Sequence, residues 1–127
     1  MKRALELVHL SHQHHRALVL ARRIKKSAPG GDPTTKLLKD FTAIWNDELT
    51  PHFAEEELTI APRLAAGGAA LMAGRLLKEH DELRSLSARV FNGEPGALNQ
   101  FGKLLYEHVR FEEREAFPYY ERLIGAH

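Results

Sequence analysis

Residues 52–64 read HFAEEELTIAPRL and residues 108–120 read HVRFEEREAFPYY. In both, a histidine is followed by glutamates four and five positions later and by a proline ten positions later. Neither stretch alternates apolar and polar residues as a half-buried strand does. Both are rich in residues that favour helix. On a helix, positions i and i+4 stack on one face. Each copy of this template therefore presents a His and a Glu side by side: His52 with Glu56, and His108 with Glu112.

Working outward, three clusters of Gly and Pro punctuate the chain: residues 28–33 (APGGDP), 65–68 (AAGG) and 92–96 (NGEPG). Gly supplies positive φ and Pro cannot continue a helix, so such clusters mark turns. They separate four segments, about Ala4 to Lys26, Thr34 to Leu64, Ala69 to Phe91 and Ala97 to Ile124, each predicted helical. At 100° per residue, the first carries an apolar stripe of Leu7, Leu10, Ala17, Leu18, Ala21 and Ile24, with His14 at its centre. The second carries Leu37, Leu38, Phe41, Ile44 and Trp45, running into His52 and Glu56. The third carries Ala73, Leu76, Leu77, Leu83 and Val90, with His80 among them. The fourth carries Leu98, Phe101, Leu105, Tyr119 and Leu123, with His108 and Glu112 on the same face. Pro51 removes a backbone donor just before His52, which predicts a kink there. Four helices with short loops predict an all-α, antiparallel up-down-up-down four-helix bundle, one domain over residues 1–127.

The chain has 127 residues, 18 Lys+Arg against 17 Asp+Glu, and no cysteine. A net charge of +1 supplies no electrostatic footprint for nucleic acid. Without cysteine, disulfide scaffolds, thiolate metal sites and cysteine nucleophiles are excluded. No apolar run reaches membrane-spanning length, and the N-terminus does not read as a signal peptide, so the expected location is cytoplasmic. None of these features encodes an oligomeric state.

Each predicted helix thus places one histidine on its buried face, and two helices add a Glu. Counted from the predicted helix ends, Glu56, His80 and His108 fall at nearly the same depth, while His14 and His52 match less closely. Four imidazoles and two carboxylates form an N/O donor set that suits iron, manganese or zinc. A lone His on an apolar face is usually a satisfied core residue. Four together with two inward carboxylates are another matter, since an unpaired buried carboxylate is costly. The metal-free alternative is a ring of His–Glu hydrogen bonds.

The order His, His-x-x-x-Glu, His, His-x-x-x-Glu over four helices resembles the hemerythrin-type HHE cation-binding family. The supporting residues are His14-His15 after Leu10-Ser11, the two quoted stretches, and LLKEHDEL at 76–83. The resemblance covers nearly the whole chain. It implies a non-haem pair of iron ions, with zinc or manganese as other possible occupants. Its metal ligands would be His14, His52, Glu56, His80, His108 and Glu112, with the two glutamates bridging. The invertebrate oxygen carriers of that family place two histidines one turn apart on the third helix; here the neighbours of His80 at that spacing are Leu76 and Arg84. They also carry Asp at +5 on the fourth helix, where this chain has Glu at +4. An altered ligand count changes redox potential and open positions. The implied function is accordingly binding or sensing of a small diatomic ligand such as O2 or NO, or a response to iron, rather than oxygen transport.

Two other functions are open at this level: a di-iron oxidase or iron-delivery and repair protein using the same site, and a metal-free interaction module. The reading leans away from an enzyme. His15 lies at the edge of its stripe and is open to a role as fifth ligand or as donor behind the ligands. His9 and His12 point outward. Glu48 is a candidate acceptor behind His52, a capping residue or a surface group, and Glu55, Glu57 and Glu113 are expected at the surface. Leu18, Phe41, Leu83 and Phe101 are expected to keep water from the site.

Overall fold

The computed structural model describes residues 3–27 and 34–125. The expected turn at 28–33 and the terminal His127 lie outside the described residues. A short 3₁₀ turn (Leu5–Leu7) leads into α1 (Val8–Lys26). The second long helix is α2 (Thr35–Ile44), a π-turn (Trp45–Leu49) and α3 (Thr50–Ala66) in one continuous rod. The third is α4 (Ala70–Phe91). The fourth is α5 (Ala97–Phe111), a second π-turn (Glu112–Ala116) and α6 (Phe117–Leu123). All regular structure among the described residues is helical, and four long helices pack as a bundle.

Local chemistry sets the ends. The Thr34 hydroxyl accepts from the Leu37 amide at 3.1 Å, an N-cap of the kind worth about 1 kcal/mol. Arg23, Lys25 and Lys26 crowd the last turn of α1, where cations complement the exposed carbonyls. Gly93 and Gly96 take φ of 74° and 81° in the turn between α4 and α5, a conformation that L side chains resist. Gly102 lets α5 approach α1 closely: a Cβ there would lie 2.8 Å from Cγ2 of Ile24.

Both π-turns sit just ahead of a proline. The Thr50 amide donates to the Trp45 carbonyl before Pro51, and the Phe117 amide to the Glu112 carbonyl before Pro118. At Pro51 the expected kink takes the form of this wider turn, which absorbs the missing donor. Pro62, the counterpart of Pro118 in the repeated sequence, lies inside α3 with no such turn.

Each π-turn adds a residue and so rotates the downstream side chains by about 100°. This corrects the fourth stripe. After Glu112 the buried apolar residues are Ala116, Phe117 and Tyr120, whereas Tyr119 is half-buried and Leu123 is 40% exposed. In the second helix Leu49 and Phe53 join the buried face, whereas Leu38 and Ile44, ahead of the turn, are half-buried at the edge of the stripe. Two further corrections are matters of degree at stripe edges. Leu20 and Leu86 are buried where Leu18 and Val90 are half-buried, and Leu77 is 41% exposed.

The apolar side chains form two clusters. One takes Ala17 to Ile24 of α1, Leu37 to Phe53 of the second helix, Leu83 and Leu86 of α4, and Leu98 to Val109 of α5. The other takes Leu7 and Leu10, then Ile60 to Leu64, then Ala69 to Leu76, then Phe111 to Tyr120. Along every helix, the inward His and Glu residues fall where one cluster gives way to the other. Burial of this kind contributes roughly 1.5–3 kcal/mol per large side chain, and it walls a polar layer off from water at both ends.

Candidate metal centre

That layer holds His14, His52, Glu56, His80, His108 and Glu112, each 3% exposed or less. The structure brings together all six residues that the sequence pointed to. They divide into two overlapping groups, His14, His52, Glu56 and Glu112, and Glu56, His80, His108 and Glu112. In each group the donor atoms lie within 4.8 Å of one another, and both groups share the two carboxylates.

The distances show an approximate two-fold pattern. His14 Nε2 lies 3.0 Å from Glu112 Oε1, as His80 Nε2 lies 3.0 Å from Glu56 Oε1. His52 Nε2 lies 3.1 Å from Glu56 Oε2, as His108 Nε2 lies 3.0 Å from Glu112 Oε1. The first and second helices are thereby related to the third and fourth.

Every imidazole is tied at its other nitrogen. The Nδ1 of His14 donates to Glu113 at 2.7 Å, that of His80 to Glu57 at 2.8 Å and that of His108 to Glu79 at 2.7 Å. The Nδ1 of His52 donates to the Gln13 carbonyl oxygen at 2.6 Å. A carboxylate can only accept, so the bonds of His14, His80 and His108 place a ring proton on Nδ1 and turn Nε2 inward, and the Gln13 oxygen does the same for His52 in the amide orientation seen here. The outer carboxylates are themselves held: Glu57 by Arg84 at 2.8 Å, Glu79 by Arg75 at 2.9 Å, and Glu113 by Ser11 at 2.7 Å and Arg3 at 3.4 Å. Phe53 stacks on His80 and Phe117 on His14, fixing ring orientation.

Inside, lone pair faces lone pair. Nε2 of His52 and of His108, and Oε2 of Glu56 and of Glu112, are buried without a hydrogen-bond partner. In the absence of a cation, protons must fill the gap. Burial and the neighbouring Glu112 charge push the Glu56 carboxyl well above the usual range. Burial opposes a charge on His108, but the Glu112 carboxylate outweighs it and the ring is pushed up to about 10. Burial likewise acts against His14, whose bonds to Glu112 and Glu113 still raise it. Burial would raise Glu112, yet the His108 cation beside it holds it well below the usual range. His80 is held down at about 4, by burial and then by the His108 charge. The donor set therefore fits divalent cations: six N and O donors, two clusters, two shared carboxylates and unsatisfied inward lone pairs.

The surface expectation for Glu57 and Glu113 is corrected, since these side chains bond His80 and His14. The signal was available: both occupy the +5 position of the repeated template. Sequence reasoning missed Gln13 and Glu79; each directly precedes the one buried His of its helix. Glu48 pairs with Arg16 at 3.2 Å and takes no part in the site. Glu55 pairs with the exposed His9, and His15 is exposed. Leu76 is fully buried in the apolar cluster, and Arg84 is committed to Glu57. Phe41, Leu83 and Phe101 are fully buried, and Leu18 is half-buried.

A surface groove of about 680 Å³ between α1 and α5 is lined by residues such as Leu18, Ala21, Lys25 and Tyr106, and by none of the six. No helix among the described residues is long and apolar enough to cross a membrane. The family model of the hemerythrin HHE cation binding domain matches residues 3–120. No curated protein and no solved structure matches the chain significantly.

Proposed function

The chain belongs to the hemerythrin HHE cation-binding family, and from that premise we propose that it is a non-haem di-iron protein that binds or senses a small diatomic ligand. The six buried residues would hold the two ions, His14 and His52 serving one and His80 and His108 the other, with Glu56 and Glu112 common to both groups. Residues 1–127 form one domain, an antiparallel up-down-up-down bundle. The alternation of helix starts and ends within each apolar cluster supports that topology.

The observation that carries the reading is the inward set of lone pairs. Four Nδ1 atoms are committed to outer acceptors, so four Nε2 atoms and two buried carboxylates converge inside, where Nε2 of His52 and of His108 and one oxygen of each carboxylate have no hydrogen-bond partner. Bound iron would supply a redox-active Lewis acid with positions left for an exogenous ligand. The chain's own residues set the conditions for that ligand. Phe53 and Phe117 against the rings, and the apolar clusters on either side, exclude water and favour a small uncharged molecule. Glu57, Glu79 and Glu113 keep the ring protons on Nδ1 and raise the basicity of the inward nitrogens.

The test is optical. Iron-loaded protein should change its visible absorption on exposure to O2 or NO. A loaded sample whose spectrum ignores O2, peroxide and NO would contradict the small-ligand reading. A His52→Ala/Glu112→Ala variant that keeps its full metal content would contradict the site.

A further inference from the structure

The approximate two-fold symmetry of the centre has one chemical exception. Gln13 precedes His14 as Glu79 precedes His80, and each reaches across to a histidine of the neighbouring helix. Glu79 accepts from His108 as a carboxylate, anchored by Arg75 at 2.9 Å. Gln13 accepts from His52 as a neutral amide. The other equivalent pair matches in kind, with Glu57 behind His80 and Glu113 behind His14. One half of the centre therefore has two carboxylate-backed imidazoles, and the other half has one.

A carboxylate behind Nδ1 pushes electron density toward Nε2 and strengthens it as a donor; losing such a partner typically costs about 10–100-fold in metal affinity. An amide differs in a second way. It has a donor as well as an acceptor, so a flipped Gln13 would present its NH2 to Nδ1, move the ring proton to Nε2 and silence the inward lone pair. Neither Glu57 nor Glu79 has that option. Building on the proposed metal site, we infer that the His80/His108 half takes up the first metal ion and holds it more tightly, and that Gln13 makes His52 the weakest ligand of the other half.

The experiment is a titration of metal-free protein with Zn(II), followed by the ring ¹⁵N signals of the histidines and by competition with a chelator. At one equivalent, the Nε2 signals of His80 and His108 should move while those of His14 and His52 stay. Gln13→Glu should tighten the second step by about tenfold or more and leave the first within about twofold. Glu79→Gln, which needs no new buried charge, should weaken the first step by about tenfold. Two equivalents taken up in no order, with all four histidines moving together, would overturn the inference alone. So would Gln13→Glu acting on the first step. A protein that takes up no metal would overturn the metal reading and this inference with it.

Discussion

Glu57 and His80 are joined by a 2.8 Å hydrogen bond at Nδ1, while the preceding residue, Glu56, lies 3.0 Å from Nε2 of the same ring. Two consecutive glutamates thus serve opposite sides of one imidazole on another helix. Glu57 is also bound by Arg84, whose charge and hydrogen bond hold its carboxyl below the usual range against the effect of burial. Glu57→Gln should keep the fold and lower metal affinity by about 10–100-fold, read by chelator competition. Wild-type affinity in this variant would show that the bond has no bearing on the metal.

Metal uptake should release protons. In the metal-free protein His108 is pushed up to about 10, so it carries a proton at neutral pH that a metal ion must displace. Affinity therefore rises with pH through the neutral range, by about tenfold per unit for each proton displaced. Calorimetry in buffers of different ionisation enthalpy measures the number released. Binding without proton release would contradict the assignment of His108.

His14 and His15 are neighbours in sequence with opposite surroundings. His14 is buried beside Glu112, whereas His15 is exposed. His15→Ala should leave metal content unchanged, and His14→Ala should lower it, both by elemental analysis. Loss of metal in His15→Ala would return that residue to the ligand set.

Gly102 should matter to stability through packing alone. A methyl there meets Ile24 Cγ2 at 2.8 Å; overpacking of this kind costs roughly 1–3 kcal/mol. Gly102→Ala should lower the denaturant midpoint, and combined with Ile24→Ala it should cost less than the two single losses added together. Strict additivity of the two losses would show that they do not meet.

The four helices, their ends and the six inward residues were legible because they rest on local signals: Gly and Pro punctuation, and a period of 3.6 that His14, His52, His80 and His108 share with the apolar stripe. The fourth stripe failed beyond Glu112 because a constant 100° step cannot register a π-turn, so Tyr119 was expected where Tyr120 is buried. Glu57 and Glu113 were misread for a different reason. Each is half-exposed on its own helix, and its partner imidazole lies on another, so only packing reveals the bond. Their shared place in the two repeated stretches was the one clue in the chain itself.

The central claim is that these six side chains hold two metal ions. Protein reconstituted anaerobically with Fe(II), desalted and assayed for iron tests it most directly, beside the His52→Ala/Glu112→Ala variant treated in the same way. The account predicts two iron ions per chain and a marked loss of iron in the variant. Wild-type protein that retains no iron, or a variant that retains both ions, would contradict it.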